Sequence, residues 1–277
     1  MPELPEVETI RRALEPELAG RTIRSVTVAR PDIVGYPASV GGFSRALVGR
    51  RIERLARTGK YLVLHLDGER DLIFHLRLSG HLEVITGTRE PDYERVRFSL
   101  SGARALSFAE PRVLGRVYAV RSGQYPPGLT GMARMGPEPI STAFTCDFLA
   151  AQFRGRTATV KSLLLDQRVC CGVGNIYSDE ALFRAGIRPQ RRAGVLRKAE
   201  VGRLAASLRN VLNDGIKWCG TTMDDGRYVM PDGASGRFQA RLAVFGREGK
   251  LCRKCGSIIK RSRIGNRSTH YCPNCQR

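Results

Sequence analysis

The chain begins Met1-Pro2-Glu3-Leu4-Pro5-Glu6-Val7-Glu8, and Pro2 is the residue whose chemistry depends most on where it stands. Inside a chain its nitrogen is an inert amide. Freed by loss of Met1 it becomes a secondary amine with a pKa near ~8, so a useful fraction is unprotonated at neutral pH. Such an amine can attack the aldehyde carbon of a sugar. The iminium that results carries a fixed positive charge and acts as an electron sink. Glu3 and Glu6 stand beside it as proton carriers. A frayed terminus is the plain alternative, and the other reactive groups decide between the two.

Cys252-x-x-Cys255 is followed, after sixteen intervening residues, by Cys272-x-x-Cys275. Two such knuckles suit one tetrahedral zinc, and four sulfur ligands leave no open position for water, so one structural zinc is expected. Between the pairs lie Lys260, Arg261, Arg263 and Arg267, with no acidic residue among them. Ile258-Ile259 and Thr269-His270-Tyr271 are expected to form the two strands of a hairpin, with Arg267 near its turn. This is a basic finger suited to a phosphate backbone, or else a solvated basic surface.

Four shorter motifs are weaker. Gly172-Val173-Gly174-Asn175-Ile176-Tyr177 sits at an expected helix start, where backbone N–H groups favour an anion; Asn175 there either caps the helix or binds phosphate. His75-Leu76-Arg77-Leu78-Ser79-Gly80 and Glu110-Pro111-Arg112-Val113-Leu114-Gly115 read as turns carrying apolar tips and arginine. Such tips either anchor loops or fill the gap left by a nucleotide turned out of its stack. Gly59-Lys60-Tyr61 places a lysine at a strand start.

These groups need a scaffold, and 277 residues suffice for two domains, each with its own core. The formal charge of +20 is spread along the chain and points to a polyanionic partner. Arginine outnumbers lysine, which suits bidentate phosphate recognition. No long apolar run and no signal peptide are apparent, which favours nucleic acid over membrane. Paired cysteines among the eight fit metal binding in a reducing cytoplasm.

A helix is expected from Pro5 to about Glu15, ended or kinked at Pro16 and closed by Gly20. Strands are expected at Thr22–Val28, Tyr61–Leu66, Leu72–Leu78, Val96–Leu100, Ala105–Phe108 and Val117–Val120, as in an antiparallel sandwich. The stretch from Tyr125 to Pro139, rich in proline and glycine, is the natural boundary. Helices are expected at Asp147–Phe153, Val160–Leu165, Ile176–Arg184 and Lys198–Trp218, then a long loop from Gly220 to Gly236.

Together these residues resemble the formamidopyrimidine-DNA glycosylase family of bacterial base-excision repair enzymes. The resemblance covers essentially the whole chain and is most specific at Pro2–Thr9, Gly172–Tyr177 and Arg267–Gln276. Leu4 places it with the oxidised-purine branch, since the endonuclease VIII branch typically has glycine there. The resemblance implies an α+β fold: an N-terminal antiparallel β-sandwich (residues 1–134), a helix–two-turns–helix domain (140–236) and a four-cysteine zinc finger (237–277). It implies damaged double-stranded DNA held between two lobes, a cytoplasmic and nucleoid-associated enzyme, and a monomer.

By similarity Pro2 is the nucleophile, Glu3 helps open the deoxyribose ring, Lys60 serves β-elimination and phosphate binding, and Arg267 serves phosphate binding and the δ step. Asn175 would bind the phosphate beside the flipped nucleotide and Arg112 would enter the duplex opposite it. His75, Leu78, Leu114, Tyr93 and Arg156 match further DNA-contact positions. The loop Thr221–Gly236 would cover the flipped base. Leu78 stands where methionine is common, Leu114 where phenylalanine is common, and Phe245 where tyrosine is frequent. Cys170-Cys171 replace small apolar residues, as buried side chains or a redox-sensitive pair. An oxidised-pyrimidine glycosylase and a non-catalytic zinc-ribbon nucleic-acid-binding protein are the competing functions.

Overall fold

A computed structural model describes residues 1–277 apart from Thr88 and Asp225. The described residues form two compact units, Met1–Ala133 with Cys219–Arg237, and Arg134–Trp218 with Phe238–Arg277. This grouping departs from the sequence boundaries in two places. Cys219–Arg237 belongs with the first unit, because Glu6 accepts the Thr221 N–H at 2.8 Å and Tyr228 is buried in that unit's core. The zinc module shares the second unit with the helices, because Gln276 Nε2 donates to the Ile187 carbonyl and the Arg277 N–H to that of Gly186.

In the first unit, helix α1 (Leu4–Leu18) buries Val7, Ile10, Leu14 and Leu18 along one stripe. It runs through Pro16, where the sequence suggested an end or kink. Leu14 and Leu18, both fully buried, contribute about 1.5–3 kcal/mol each. Together they match the roughly 3 kcal/mol that an interior proline costs. Gly20, at φ +82°, then turns the chain and donates its N–H to Ile52.

The strands are β1 (Ile23–Val28), β2 (Val34–Tyr36), β3 (Ile52–Thr58), β4 (Tyr61–Leu66), β5 (Arg70–His75), β6 (His81–Thr86), β7 (Glu94–Leu100), β8 (Arg104–Ala109) and β9 (Arg116–Arg121). One sheet has the order β1-β7-β8-β6 and is antiparallel throughout. The other has the order β2-β9-β5-β4-β3, with a parallel β2–β9 pair that the antiparallel expectation did not include. Their inner faces meet where the Phe74 ring packs edge-on against Phe98 at 5.7 Å and Phe108 at 5.6 Å. Helix α2 (Val40–Leu47) adds Phe43 and Leu47 to the same core, and α3 (Thr130–Ala133) ends the segment.

The second unit contains α4 (Cys146–Phe153), α5 (Val160–Leu165), α6 (Asn175–Ala185) and α7 (Lys198–Lys217). Thr145 and Thr159 cap the first two through their hydroxyls, and Gly186 ends α6 in the left-handed conformation. The finger hairpin is β10 (Lys260–Ile264) with β11 (Arg267–Tyr271). Ile258 and Ile259 precede β10, where Ile258 forms an isolated bridge with Leu251. No helix among the described residues is long and apolar enough to cross a membrane.

Candidate functional site

The start of the chain is ordered. Pro2 is buried and Glu3 is 2% exposed, immediately ahead of α1. One oxygen of Glu6 accepts the Glu3 N–H at 2.8 Å, and its other oxygen accepts the Thr221 N–H at 2.8 Å. Glu6 therefore holds the terminus and the start of the long loop on one carboxylate. Gly220 is required beside it: at φ +78°, a Cβ there would lie 2.9 Å from Glu6 Cγ and 3.0 Å from the Tyr228 ring. Burial pushes the Tyr228 phenol upward, as does the nearby Glu6 charge. The hydroxyl donates to the Cys219 carbonyl at 3.0 Å.

Lys60 lies in the two-residue turn between β3 and β4, after Gly59 at φ +57°, and not within a strand. Arg57 braces that turn, donating to the Gly59 carbonyl at 3.1 Å and to Glu8 of α1 at 3.3 Å. Burial works against ionisation of Glu8, but hydrogen bonds from Arg11 and Arg12 and the charge of Arg57 outweigh it. They hold its carboxyl down to about 2. His75, at the end of β5, pairs with Tyr61 across the ladder, the two rings 4.4 Å apart. Burial, reinforced by the charges of Arg77 and Lys60, lowers its pKa to about 3, so it is neutral at pH 7. Its Nδ1 is buried with no partner among the described residues. A neutral imidazole thus sits in the field of two cations.

The two turns with apolar tips occupy this unit as well. Leu78 is half-buried, Arg112 is exposed and Leu114 is 43% exposed. Tyr93, 59% exposed, precedes β7. Arg77, Val113 and Tyr93 all take positive φ, +55°, +55° and +59°. For side chains of this size that conformation costs about 1–3 kcal/mol each and persists only where the surroundings enforce it.

In the second unit, Gly174 is the cap residue of α6 and Asn175 its first helical residue. The Asn175 Oδ1 is buried without a hydrogen-bond partner among the described residues, so its side chain does not cap the helix. A helix N-terminus with an adjacent amide is suited to an anion. Arg156 is exposed, on a loop tied down by the Gly194 N–H at 3.0 Å. Arg267 is exposed and opens β11, paired with Ile264 across the turn Gly265-Asn266. Lys260, Arg261 and Arg263 are exposed on the facing strand.

Behind Arg267, a buried cluster fixes the hairpin. Lys161 Nζ lies 2.7 Å from Asp179, and donates to the Ser268 carbonyl and the Thr269 hydroxyl at 2.9 Å each. Asp179 also accepts the His270 N–H at 2.8 Å. The neighbouring Glu180 accepts the N–H groups of Ala243, Val244 and Phe245, each at 2.9 Å. The Phe245 ring stacks edge-on against His270 at 5.0 Å.

The sulfur atoms of Cys252, Cys255, Cys272 and Cys275 all lie within 4.8 Å of one another, with Cys252–Cys275 at 3.9 Å and Cys255–Cys272 at 3.4 Å. A tetrahedral zinc with bonds of about 2.3 Å requires sulfurs roughly 3.8 Å apart. The donor set fits one structural zinc. Cys170 and Cys171 are buried thiols. Burial, then the neighbouring thiol, raises the Cys170 pKa and keeps it protonated, as an inert core side chain would be.

Of the buried acids that hold these elements, sequence reasoning named Glu8 and Glu110 only as parts of motifs, without a holding role, and missed Asp179 and Glu180. A carboxylate inside an otherwise apolar or irregular stretch was their only signal, and Asp179-Glu180 in the middle of α6 carries it most clearly. Asp225, within the long loop, lies outside the described residues.

Residues 1–117 match the formamidopyrimidine-DNA glycosylase N-terminal domain, residues 135–226 the formamidopyrimidine-DNA glycosylase H2TH domain, and residues 249–277 the zinc finger found in FPG and IleRS. The chain is 43% identical to the formamidopyrimidine-DNA glycosylase of Xanthomonas euvesicatoria pv. vesicatoria over 279 residues, covering 100% of each. It resembles the crystal structure of the MutM (Fpg) protein from Thermus thermophilus with a TM-score of 0.90 at 41% identity, covering 99% of this chain and 98% of that one. The complex between Lactococcus lactis Fpg (MutM) and a Fapy-dG-containing DNA gives a TM-score of 0.90 at 31% identity, covering 99% and 100%.

Proposed function

Because the chain belongs to the formamidopyrimidine-DNA glycosylase family, we propose that it excises oxidised purines, 8-oxoguanine and formamidopyrimidines, from duplex DNA and then cuts the strand through an N-terminal proline Schiff base. The family makes it a DNA glycosylase of base-excision repair acting on damaged DNA. The observation that carries the covalent reading is the ordered start of α1, where Glu6 accepts the Glu3 N–H at 2.8 Å. A frayed terminus could not aim an amine.

With Met1 removed, the Pro2 nitrogen attacks C1′ and the damaged base leaves with the glycosidic electron pair. The nitrogen's own proton passes to the departing base, Glu3 delivers a proton to the ring oxygen, the sugar opens, and the freed nitrogen lone pair forms the iminium. The iminium acidifies the C2′ proton, whose loss expels the 3′ phosphate, and a second elimination expels the 5′ phosphate. Lys60 serves the first elimination, Arg267 the second. Lys60, Asn175 and Arg267, with neutral His75, bind phosphates. Leu78, Arg112 and Leu114 fill the space left by the turned-out nucleotide, and Tyr93 and Arg156 add contacts. Zinc supplies no chemical step. Its four thiolates hold the hairpin that carries Arg267.

Borohydride trapping on an 8-oxoguanine:cytosine duplex, followed by peptide mass spectrometry, tests this reading. A cross-link on Pro2 is expected. No cross-link with duplex binding intact, or faster cleavage of thymine-glycol duplexes, overturns it.

A further inference from the structure

Glu110 follows β8 and is completely buried. One carboxylate oxygen accepts the Ser79 hydroxyl and the Arg112 N–H, the latter at 3.1 Å; the other accepts the Gly115 N–H at 2.7 Å. Its backbone is used as fully. The Glu110 N–H donates to the Tyr93 carbonyl at 3.0 Å, and its carbonyl accepts from Arg95 Nε at 2.9 Å. The Arg95 guanidinium in turn lies 5.6 Å from the centre of the Tyr93 ring. One residue thus touches three surface segments: the turn after β5, the loop after β8 and the turn before β7.

Those segments carry Leu78, then Arg112 and Leu114, then Tyr93. Each also holds one side chain at positive φ, a shape that isolated turns would not keep. Glycines close two of them against a single ring. A Cβ at Gly80 would lie 2.9 Å from Phe108, and one at Gly115 would lie 2.8 Å from it and 3.0 Å from the Glu110 carboxylate. The loops have little room to relax. A carboxylate buried among a hydroxyl and two amides is also a costly way to fill space, and an apolar side chain would pack there more cheaply. What the carboxylate adds is direction, because its three bonds form together only when both tips adopt one shape.

We propose that Glu110 is the positioning residue that locks Leu78, Arg112 and Leu114 into one rigid wedge, so that all three enter the duplex together when the damaged nucleotide is turned out. This rests on the glycosylase reading above. The wedge governs base extrusion and discrimination of the opposite base, whereas elimination at a site already lacking its base depends on it far less.

Glu110→Gln keeps the volume but turns an amide NH2 toward a backbone N–H, breaking at least one bond. Single-turnover excision of 8-oxoguanine opposite cytosine should fall at least about tenfold, within what a misplaced group costs. Strand cleavage at a preformed abasic site should stay within about twofold of wild type. Two further readouts accompany these rates. The fluorescence rise of 2-aminopurine placed beside the lesion, which reports wedge entry, should shrink, and the preference for cytosine over adenine opposite the lesion should narrow. Ser79→Ala detaches only the first turn; it should show the same pattern at about tenfold, the lower end of what a hydrogen bond to a charged carboxylate contributes. The double variant should be no worse than Glu110→Gln alone.

Equal loss of both steps with unchanged fluorescence and opposite-base preference would make Glu110 a fold residue only and overturn the proposal, as would no change in any readout. If Glu110→Gln does not fold, Ser79→Ala decides by the same criteria. Failure of the wild-type protein to cleave any lesion duplex would instead overturn the functional reading beneath it.

Discussion

Arg112 and Arg267 are both exposed arginines, one on an irregular loop and one at the start of a strand, and opposite means hold them. Arg112 rides an irregular loop shaped by the buried Glu110 and by Val113 at φ +55°. Arg267 rides a regular ladder, paired with Ile264, where Gly265 takes the positive φ at no steric cost and four cysteines pin the base. A phosphate is a point charge reachable from many angles, so a stiff basic hairpin suffices for it. In the role proposed for Arg112, a side chain aimed into a gap between bases needs a fixed direction, and an irregular loop with dedicated buried acceptors supplies one.

Removing the metal is the harshest way to break this contrast. Chelation or Cys272→Ser should release the zinc and lower DNA affinity by about 100-fold or more, because a structural zinc contributes about 10–16 kcal/mol to the folding of small fingers. The sandwich signal in circular dichroism should persist. Binding that survives chelation would mean the hairpin stands without its pin. Exchanging the two arginines sharpens the comparison. Arg267→Ala should weaken lesion and undamaged duplexes alike and reduce the salt slope by about 0.9. Arg112→Ala should leave the slope alone and cut the preference for the lesion duplex about tenfold. Identical slopes in both variants would erase the distinction.

Acid should act on the first unit most strongly through two of its depressed groups. The folded value of His75, about 3, lies below its ordinary 6.5, so its stabilising contribution is complete above pH 6.5 and lost as pH falls toward 3. That of Glu8, about 2 against 4.5, is complete above 4.5 and lost toward 2. Urea midpoints should therefore decline from pH 6.5 downward, and Glu8→Gln should flatten the portion below 4.5. A decline of the same depth in Glu8→Gln would remove Glu8 from the account. The smallest effects concern the turns themselves. Val113→Gly should raise stability by up to about 1 kcal/mol while slowing excision, and Gly265→Ala should lower stability by about 1 kcal/mol. Val113→Gly with unchanged stability would show that the loop stores no strain.

The zinc ligands are legible in the sequence because their spacing is local, and Tyr61–Leu66 and Val160–Leu165 because turn or capping signals bound short apolar runs. The strand Ile52–Thr58 is not, since Glu53, Arg54 and Arg57 hide its alternation. The buried acids are illegible for a different reason. Glu110 meets Ser79 across 31 residues and Glu6 meets Thr221 across 215, and no local pattern announces such pairs. The resemblance to a family could nominate Leu78 and Arg112, but not the carboxylate that joins their loops.

The long loop from Gly220 to Gly236 closes on itself at its base. A Cβ at Gly236 would lie 2.4 Å from the Gly220 carbonyl, Thr222 Oγ1 accepts the Gly236 N–H at 2.8 Å, and the same hydroxyl donates to Tyr228. A loop held in this way has fixed points on its scaffold at the pinch and at Tyr228, whose ring is buried in the core of the first unit, and changes elsewhere in it need not reach the helix that presents the terminus. The segment therefore behaves as a cassette with an internal anchor. Its other positions can be exchanged by an engineer, while the two glycines, Thr222, Tyr228 and Glu6 remain the fixed socket into which any version must plug.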